Sequence, residues 1–301
     1  MSGAPNQPEP LQTVEPVKPI ERELEAELGV LETTGDTEPA PEPPAPSEAP
    51  PQPPIIVFDH VSISFGDHAV LDDVSFSVNR GQTLCILGRS GVGKSVSLRL
   101  LMGFLKADSG SIQVDGREIT GLSEEGLRAI RKRVTMVFQN GALFDSLSVR
   151  ENVAFPLREV GGLAEDQLDQ LVERLIGLVG AEDVLDELPA SLSTGRKRAV
   201  AIARALAAQP EIVLYDEPTT MVDPLIAKRL GNLIQRLKHQ LGFTSIVVTH
   251  DVRFAELLAD TVLFLDSGRA SYFGPLDGFV SSTDEHIRLF LTLDEYVLPS
   301  T

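Results

Sequence analysis

The sequence is poor in cysteine, in basic residues and in long apolar runs. Cys85 is its one cysteine in 301 residues, so no disulfide can form within the chain. Its place inside an apolar run marks it as a small core thiol, and a reduced, cytosolic setting fits. Lys and Arg number 26 against 44 Asp and Glu, for a formal net charge of -18. So few cations cannot assemble a broad basic face, which argues against non-specific binding to nucleic acid or to an anionic membrane surface. The longest apolar stretches, such as Ser245–Val248 and Val262–Leu265, fall far short of the ~20 residues that span a bilayer. No basic-then-apolar leader opens the chain, so a membrane enters this reading only through a partner.

The charge is unevenly spread. Residues 1–54 hold eleven Asp/Glu against Lys18 and Arg22, together with fourteen of the 21 prolines. A segment this acidic, proline-rich and poor in apolar groups cannot offset its ordering entropy, and it is expected to be a disordered tail. Within it Ile20, Leu24, Leu28 and Leu31 share one helical face, the pattern of a transient helix or, as the alternative, of a docking helix for another protein. The folded part is expected from about Ile55.

The strongest local signal is Gly88-Arg89-Ser90-Gly91-Val92-Gly93-Lys94-Ser95, which follows the apolar run Thr83–Leu87 and leads into a helical pattern from Val96. Strand, glycine loop and helix, in that order, form the context a phosphate-binding loop requires. Glycines let backbone N–H groups curl round an anion, Lys94 reaches the outer phosphates, and the Ser95 hydroxyl suits Mg²⁺. A chance match of this kind arises in roughly 1% of chains this long. The motifs downstream make chance untenable.

Around the loop the chain reads as an α/β protein with an antiparallel lobe. Ile55–Phe58, Val61–Phe65 and Val74–Val78 read as short strands, Ile112–Val114 adds another before the turn Asp115-Gly116, and Val134–Phe138 reads as a core strand. From about Ser148 to Ala208 the reading is mostly helical. The apolar strands Ile212–Tyr215, Ser245–Val248 and Val262–Leu265 then alternate with helices, the signature of a parallel sheet.

Several of these strands end in chemistry. Ile212–Tyr215 runs into Asp216-Glu217, two carboxylates at the carboxyl end of a parallel strand, where open α/β sheets gather ligands. Asp216 is suited to hold Mg²⁺, usually through water, and Glu217 to take a proton from an attacking water. Ser245–Val248 ends in Thr249-His250-Asp251, which puts a polarising imidazole at the same edge, and Gln139 closes the strand from Val134 within reach of the metal's water shell. Leu192-Ser193-Thr194-Gly195 opens a further helix, so free N–H groups and the Ser193 hydroxyl are expected to face outward at its positive end. Arg196, Lys197 and Arg198 in that first turn oppose the helix dipole, as though an anion were awaited.

In this order and spacing the pieces resemble the ATPase subunit of an ABC transporter over residues 55–275, with a helical insert at about 145–208 and a C-terminal extension over 276–301. The resemblance implies the P-loop NTPase fold of that family, a RecA-like parallel sheet with an antiparallel β lobe. It implies ATP and Mg²⁺ as ligands and ATP hydrolysis as the activity. Phe65 resembles the aromatic that stacks on adenine, Gly88 to Ser95 with Val96 the Walker A loop, Gln139 the Q-loop and Leu192 to Gly195 the signature. Asp216-Glu217 resembles the end of Walker B, Asp223 the D-loop aspartate and His250 the switch histidine. Catalysis then falls to Glu217, His250 and Gln139. The metal falls to Ser95, Gln139 and Asp216, and the nucleotide to the loop residues together with Ser193, Thr194, Gly195 and Asp223 across a pair of subunits.

The partners implied are a second copy in an ATP-sandwich dimer and a membrane permease docked near Asn140–Pro156, which places the chain on the cytoplasmic face of the inner membrane. Within the family, Gly88–Gly93, Val137–Phe144 and Glu151–Leu157 look most like the Mla-type ATPases that drive lipid movement with MCE-domain proteins. Thr194 departs from the usual glycine, and Met221-Val222-Asp223 from the usual Gly-Leu-Asp. Two other readings compete: a soluble ABC-type ATPase acting on ribosomes or DNA, which the acidic balance disfavours, and a nucleotide-binding regulator that no longer hydrolyses, which Asp216-Glu217 disfavours. Residues Asp284–Val297 carry enough apolar surface to pack on their own domain or, as the alternative, on a dimer mate or a small regulatory subunit.

Overall fold

The computed structural model describes residues 53–296, with side chains through Leu293. The expected acidic tail with its Ile20–Leu31 face, and the last residues from Val297, lie outside the described residues. In chain order the first half contains β1 (Ile56–Phe65), β2 (His68–Val78), β3 (Thr83–Leu87), α1 (Lys94–Leu101), β4 (Ser109–Val114), β5 (Arg117–Glu118), α2 (Glu124–Arg131) and β6 (Val134–Val137). Three helices follow, α3 (Val149–Val160), α4 (Glu165–Val179) and α5 (Thr194–Ala207). The second half contains β7 (Ile212–Asp216), α6 (Pro224–Leu241), β8 (Thr244–Val248), α7 (Val252–Leu258), β9 (Thr261–Asp266), β10 (Arg269–Pro275), α8 (Leu276–Val280) and α9 (Glu285–Tyr296).

Two sheets result. The antiparallel lobe has the order β2-β1-β4-β5, and the larger sheet runs β10-β9-β3-β8-β7-β6, parallel from β9 to β6. Alternation along the buried strands divides the large sheet's residues between two cores. Leu84, Ile86, Leu214, Ile246 and Val248 pack toward the lobe, α1 and α2, whereas Cys85, Val213, Tyr215 and Val247 pack toward the helices α3 to α5. Burial, aided by the charge of Asp260, pushes the Cys85 thiol far above its ordinary pKa, so it stays a protonated core group.

The strand readings change in four places. Ile55–Phe58 and Val61–Phe65 form one strand: pairing continues through a bulge at Asp59-His60, where His60 adopts φ 50° and its amide donates to Ser75 Oγ at 2.8 Å. The partner strand starts at His68 rather than Val74 and bulges at Asp73, whose carboxylate lies 2.5 Å from His60 Nδ1. The core strand expected to reach Phe138 stops at Val137, and Phe138 turns outward. Strand β10, absent from the sequence reading, closes the sheet antiparallel through a two-residue turn, Ser267-Gly268, in which both residues have positive φ. At the C terminus Ile287 and Phe290 are buried and Phe290 lies 5.0 Å from Phe264, so α9 packs on its own domain; Leu289 and Leu293 remain exposed.

A charged cluster ties the lobe to the large sheet. Arg133, just before β6, grips Glu211, just before β7, through Nε at 2.5 Å and Nη2 at 2.7 Å, and also holds Asp115 in the β4–β5 turn at 2.7 Å. Arg80 joins both carboxylates from the end of β2. The hydrogen bonds from Arg133 hold the Glu211 carboxyl below the usual range despite partial burial. The Glu211 contribution to stability is therefore present above the ordinary carboxylate pKa and lost as pH falls through the lowered value. Glu211→Gln should cost about 1–2 kcal/mol near pH 7, and the gap from wild type should close near pH ~3, as read by thermal unfolding at both.

Candidate nucleotide site at the carboxyl edge of the sheet

The loop after β3 is shaped for bare backbone. Gly88 has φ 150° and a Cβ there would stand 2.4 Å from Leu265 O; Gly93 has φ 104° and a Cβ would meet Val70 O at 2.8 Å. Only glycine fits either position. Gly93 is the N-cap of α1 with no side-chain cap, so that helix end presents its first N–H groups and its positive dipole to whatever fills the loop. Arg89, Ser90 and Gly91 are exposed at the rim, while Val92 and Val96 pack against the lobe-side core.

Lys94 is only 5% exposed. Its ammonium donates to Gly88 O at 2.8 Å and Arg89 O at 3.1 Å and pairs with Glu217 Oε1 at 3.2 Å. Ser95 Oγ donates to Asp216 Oδ1 at 2.6 Å. Glu217, at φ 48°, is held by its N–H to Val248 O at 2.9 Å, and its Oε2 lies 2.8 Å from His250 Nδ1 and 3.3 Å from Thr220 Oγ1. Lys94, Ser95, Asp216, Glu217 and His250 thus converge from three strand ends and one helix N-terminus. Gln139 follows β6 at the same edge, exposed and without a hydrogen bond to this group among the described residues. Phe65 stands at the tip of the β1–β2 hairpin, 51% exposed, and the second strand of that hairpin touches the loop at Val70.

The signature segment differs from expectation. Ser193 is the N-cap of α5, and its hydroxyl accepts from Arg196 N at 3.4 Å rather than standing free, because an N-cap serine bonds its own helix first. Arg196 pairs with Asp183 instead of waiting for an anion, and Arg198 turns into the interior. Thr194 is exposed, and Gly195 packs on Ile226, 2.9 Å from where a Cβ would be. Asp223 caps α6, accepting from Leu225 N and Ile226 N at 3.0 Å each. Met221, two residues earlier, is 94% exposed at φ 60°.

The electrostatics separate the two carboxylates. Burial raises the Asp216 pKa and the neighbouring Glu217 charge raises it further, against the opposing Ser95 hydrogen bond. Burial also works against Glu217, but the hydrogen bond from His250 and the charge of Lys94 outweigh it, so Glu217 lies below the usual range. His250 in turn is raised by its bond to Glu217. His250 and Lys94 thus keep Glu217 ionised, the form that can accept a proton once Lys94 withdraws, and the Asp216 carboxylate, disfavoured by burial, gains from a cation beside it. Among the described residues no three His, Cys, Asp or Glu side chains converge on a metal position. Mg²⁺ takes one or two carboxylates with substrate phosphates, and Ser95 and Asp216, joined at 2.6 Å, are the side chains that would hold it. The glycine cradle and the buried ammonium fit the phosphates of a nucleoside triphosphate, provided Lys94 leaves Glu217 to reach them.

Thr220, Arg204 and Asn152 also shape this edge without having been singled out from the sequence, and Arg198, read there as awaiting an anion, turns inward instead. Of the first three, Asn152 carried a signal, as a polar residue on the apolar stripe Val149, Val153 and Ala154. It is fully buried, accepts from Phe144 N at 2.8 Å and donates to Phe144 O at 3.1 Å and Leu147 O at 2.9 Å, which fixes the loop before α3.

Known proteins match this arrangement. Residues 71–220 fit the family model described as ABC transporter. A probable amino-acid ABC transporter ATP-binding protein, y4tH of Sinorhizobium fredii, is 38% identical over 247 residues, 79% of this chain and 96% of the relative. The chain belongs to the ABC transporter ATP-binding proteins. The methionine import ATP-binding protein MetN of Rhizobium johnstonii is 42% identical over 215 residues, 71% of this chain, but the match spans only 59% of that relative's length. Among solved structures, cbiO1 of Clostridium perfringens, part of the cbiONQ ABC transporter complex, aligns with TM-score 0.72 at 29% identity over 81% of this chain and 98% of its own. The dimeric post-hydrolysis structure of the ATP-binding cassette MJ0796 with ADP and Pi aligns with TM-score 0.67 at 28% identity over 73% of this chain and 98% of its own. The fold is thus the ABC ATPase fold, with the antiparallel lobe and the mixed, largely parallel sheet described above.

Because Glu217 raises the His250 pKa, the imidazole should stay protonated above its ordinary range in the nucleotide-free protein and lose its proton as pH rises through the raised value. An NMR titration of the His250 ring should show this, and Glu217→Gln should bring the midpoint back toward ~6.5.

Proposed function

We propose that this chain is the ATP-hydrolysing motor subunit of an ABC transporter, working as a pair of copies beneath a membrane permease on the cytoplasmic face of the inner membrane. The observation that carries the reading is the network joining Lys94, Glu217 and His250 at the strand ends, with Ser95 and Asp216 beside it. In the reaction Lys94 moves from Glu217 to the outer phosphates, and Glu217 takes the proton of the water attacking the γ-phosphorus. His250 holds the Glu217 oxygen and faces the developing phosphate charge. Gln139 senses the ligand from the edge of β6. Ser95 and Asp216, with Gln139 at the water shell, would hold magnesium, which would supply charge neutralisation to the phosphates.

Exposed Ser193, Thr194 and Asp223 are free to meet a second copy, with Phe65 stacking on the base in the first. A 740 Å³ cleft that opens beside His250 and is walled by Thr220, Met221 and Phe254 lies on that same face. The permease contact is assigned to Asn140–Pro156. There Phe144 and Phe155 are exposed and pack at 4.9 Å, the guanidinium of Arg204 lies 5.5 Å from the Phe144 ring centre, and Phe138, just before the segment, is exposed beside them in sequence. A rigid aromatic patch of this kind is what a docking helix grips. Nucleic acid is not a partner in this reading.

For the cargo, the likeness of Val137–Phe144 and Glu151–Leu157 to Mla-type ATPases supports phospholipid movement with an MCE-domain protein. The relatives MetN, named for methionine import, and y4tH, named as a probable amino-acid transporter subunit, favour a second reading, amino-acid import. Co-purification from native membranes, with turnover measured with phospholipid or methionine added to the complex, separates them: phospholipid stimulation and an MCE-type partner support the first, methionine dependence the second. In either case Glu217→Gln should lower turnover by about 10²-fold or more while nucleotide still binds, and Lys94→Ala should lose nucleotide binding. Full turnover in Glu217→Gln would remove Glu217 as the base.

A further inference from the structure

Arg198, in the second turn of α5, is a buried cation without a counter-ion. It is 6% exposed, no carboxylate lies within ion-pair reach among the described residues, and its Nε has no hydrogen-bond partner. Among the described residues its hydrogen bond is a long one from Nη2 to Thr220 O at 3.5 Å. Burial lowers its pKa, as expected for a guanidinium taken from water with so little in return. Such a group destabilises the fold by itself, so its position calls for an account.

That account lies in what Thr220 does. Its hydroxyl donates to Glu217 Oε2 at 3.3 Å, the same oxygen that meets His250 at 2.8 Å, and its N–H donates to Glu217 O at 3.2 Å. The segment from Glu217 to Met221 holds two non-glycine residues in the left-handed region, at φ 48° and φ 60°. Strain of this kind persists only where the surroundings hold it. We infer that Arg198 is a positioning residue for Glu217: by holding the Thr220 carbonyl it keeps the Thr220 hydroxyl against the carboxylate.

The same helix grips the proposed docking loop. Arg204 donates to Ala142 O at 2.7 Å and Gly141 O at 3.4 Å, and Gly141 is packed on α5, where a Cβ would lie 3.4 Å from Ala201 Cβ and 3.9 Å from Arg198 Nη1. A shift of residues 141–144 is thereby passed through α5 to Arg198 and on to the base. The inference rests on Glu217 being that base.

The test is steady-state turnover of the full chain in its transporter complex, with Arg198→Met, Thr220→Val, Thr220→Ser and the double variant Arg198→Met/Thr220→Val. Arg198→Met and Thr220→Val should each lower kcat about tenfold, with KM for ATP and the melting temperature little changed. Thr220→Ser, which keeps the donor, should rescue kcat, and the double variant should be no worse than the poorer single, since both act through one carboxylate. Equal kcat for Thr220→Val and Thr220→Ser would overturn the inference even if Arg198→Met fails to fold, and so would multiplying effects or a rise in KM matching the fall in kcat. Failure of the base itself would show separately, as full turnover in Glu217→Gln.

Discussion

The site depends on one row of the parallel sheet. Ile86 of β3 lies opposite Val248 of β8, and Val248 opposite Asp216 of β7, so three strands end at the same level. The phosphate loop leaves from the first, His250 from the second and Glu217 from the third. A slip of one residue in either pairing would turn each side chain to the other face and separate the five groups. Full burial of all three strands on both faces is what prevents the slip, because it would exchange the two cores. Stability and chemistry here share one constraint.

At that row the charges are balanced internally. Lys94 is satisfied by two loop carbonyls and Glu217, Glu217 by Lys94 and His250, and Asp216 by Ser95. A triphosphate offers Lys94 stronger acceptors than neutral carbonyls do, and drawing the ammonium away leaves Glu217 with His250 and Thr220. The loss of a nearby cation makes the carboxylate a stronger proton acceptor. In the proposed reading, substrate binding and activation of the base would be one rearrangement, driven by competition for a single ammonium group.

The arrangement was legible in the sequence where chemistry requires a residue type and hidden where backbone compensates. Gly88 and Gly93 could be read because no side chain fits against Leu265 O or Val70 O, and Asp216-Glu217 because a buried strand runs directly into them. The bulge at Asp59-His60 broke the alternation and split one strand into two in the reading, although His60 and Asp73 hold the pairing by taking left-handed backbone. Strand β10 alternates between half-buried and exposed positions and carries little apolar signal, so only the Ser267-Gly268 turn marked it. Arg198 was misread for a different reason. Three cations in a first turn look like an anion site in one dimension, but helical geometry sends Arg196 outward to Asp183 and Arg198 inward to Thr220.

Helix α5 draws these parts together. Its N-terminus carries the exposed signature residues, its inner face holds Arg198 beside the segment after Glu217, and Arg204 binds the loop that leads to Phe144. The helix is packed on α3 and α4 through a shared core and has no glycine beyond its first turn to bend it. A force applied at the aromatic patch therefore cannot be absorbed within α5 and must emerge at its other contacts. Those contacts are the segment after Glu217 and the exposed residues Ser193 and Thr194. In the proposed reading, fitting such a motor to a different permease would call for changes around Phe138, Phe144 and Phe155, because Asn152, Arg204 and Arg198 behind them bond the chain's own backbone.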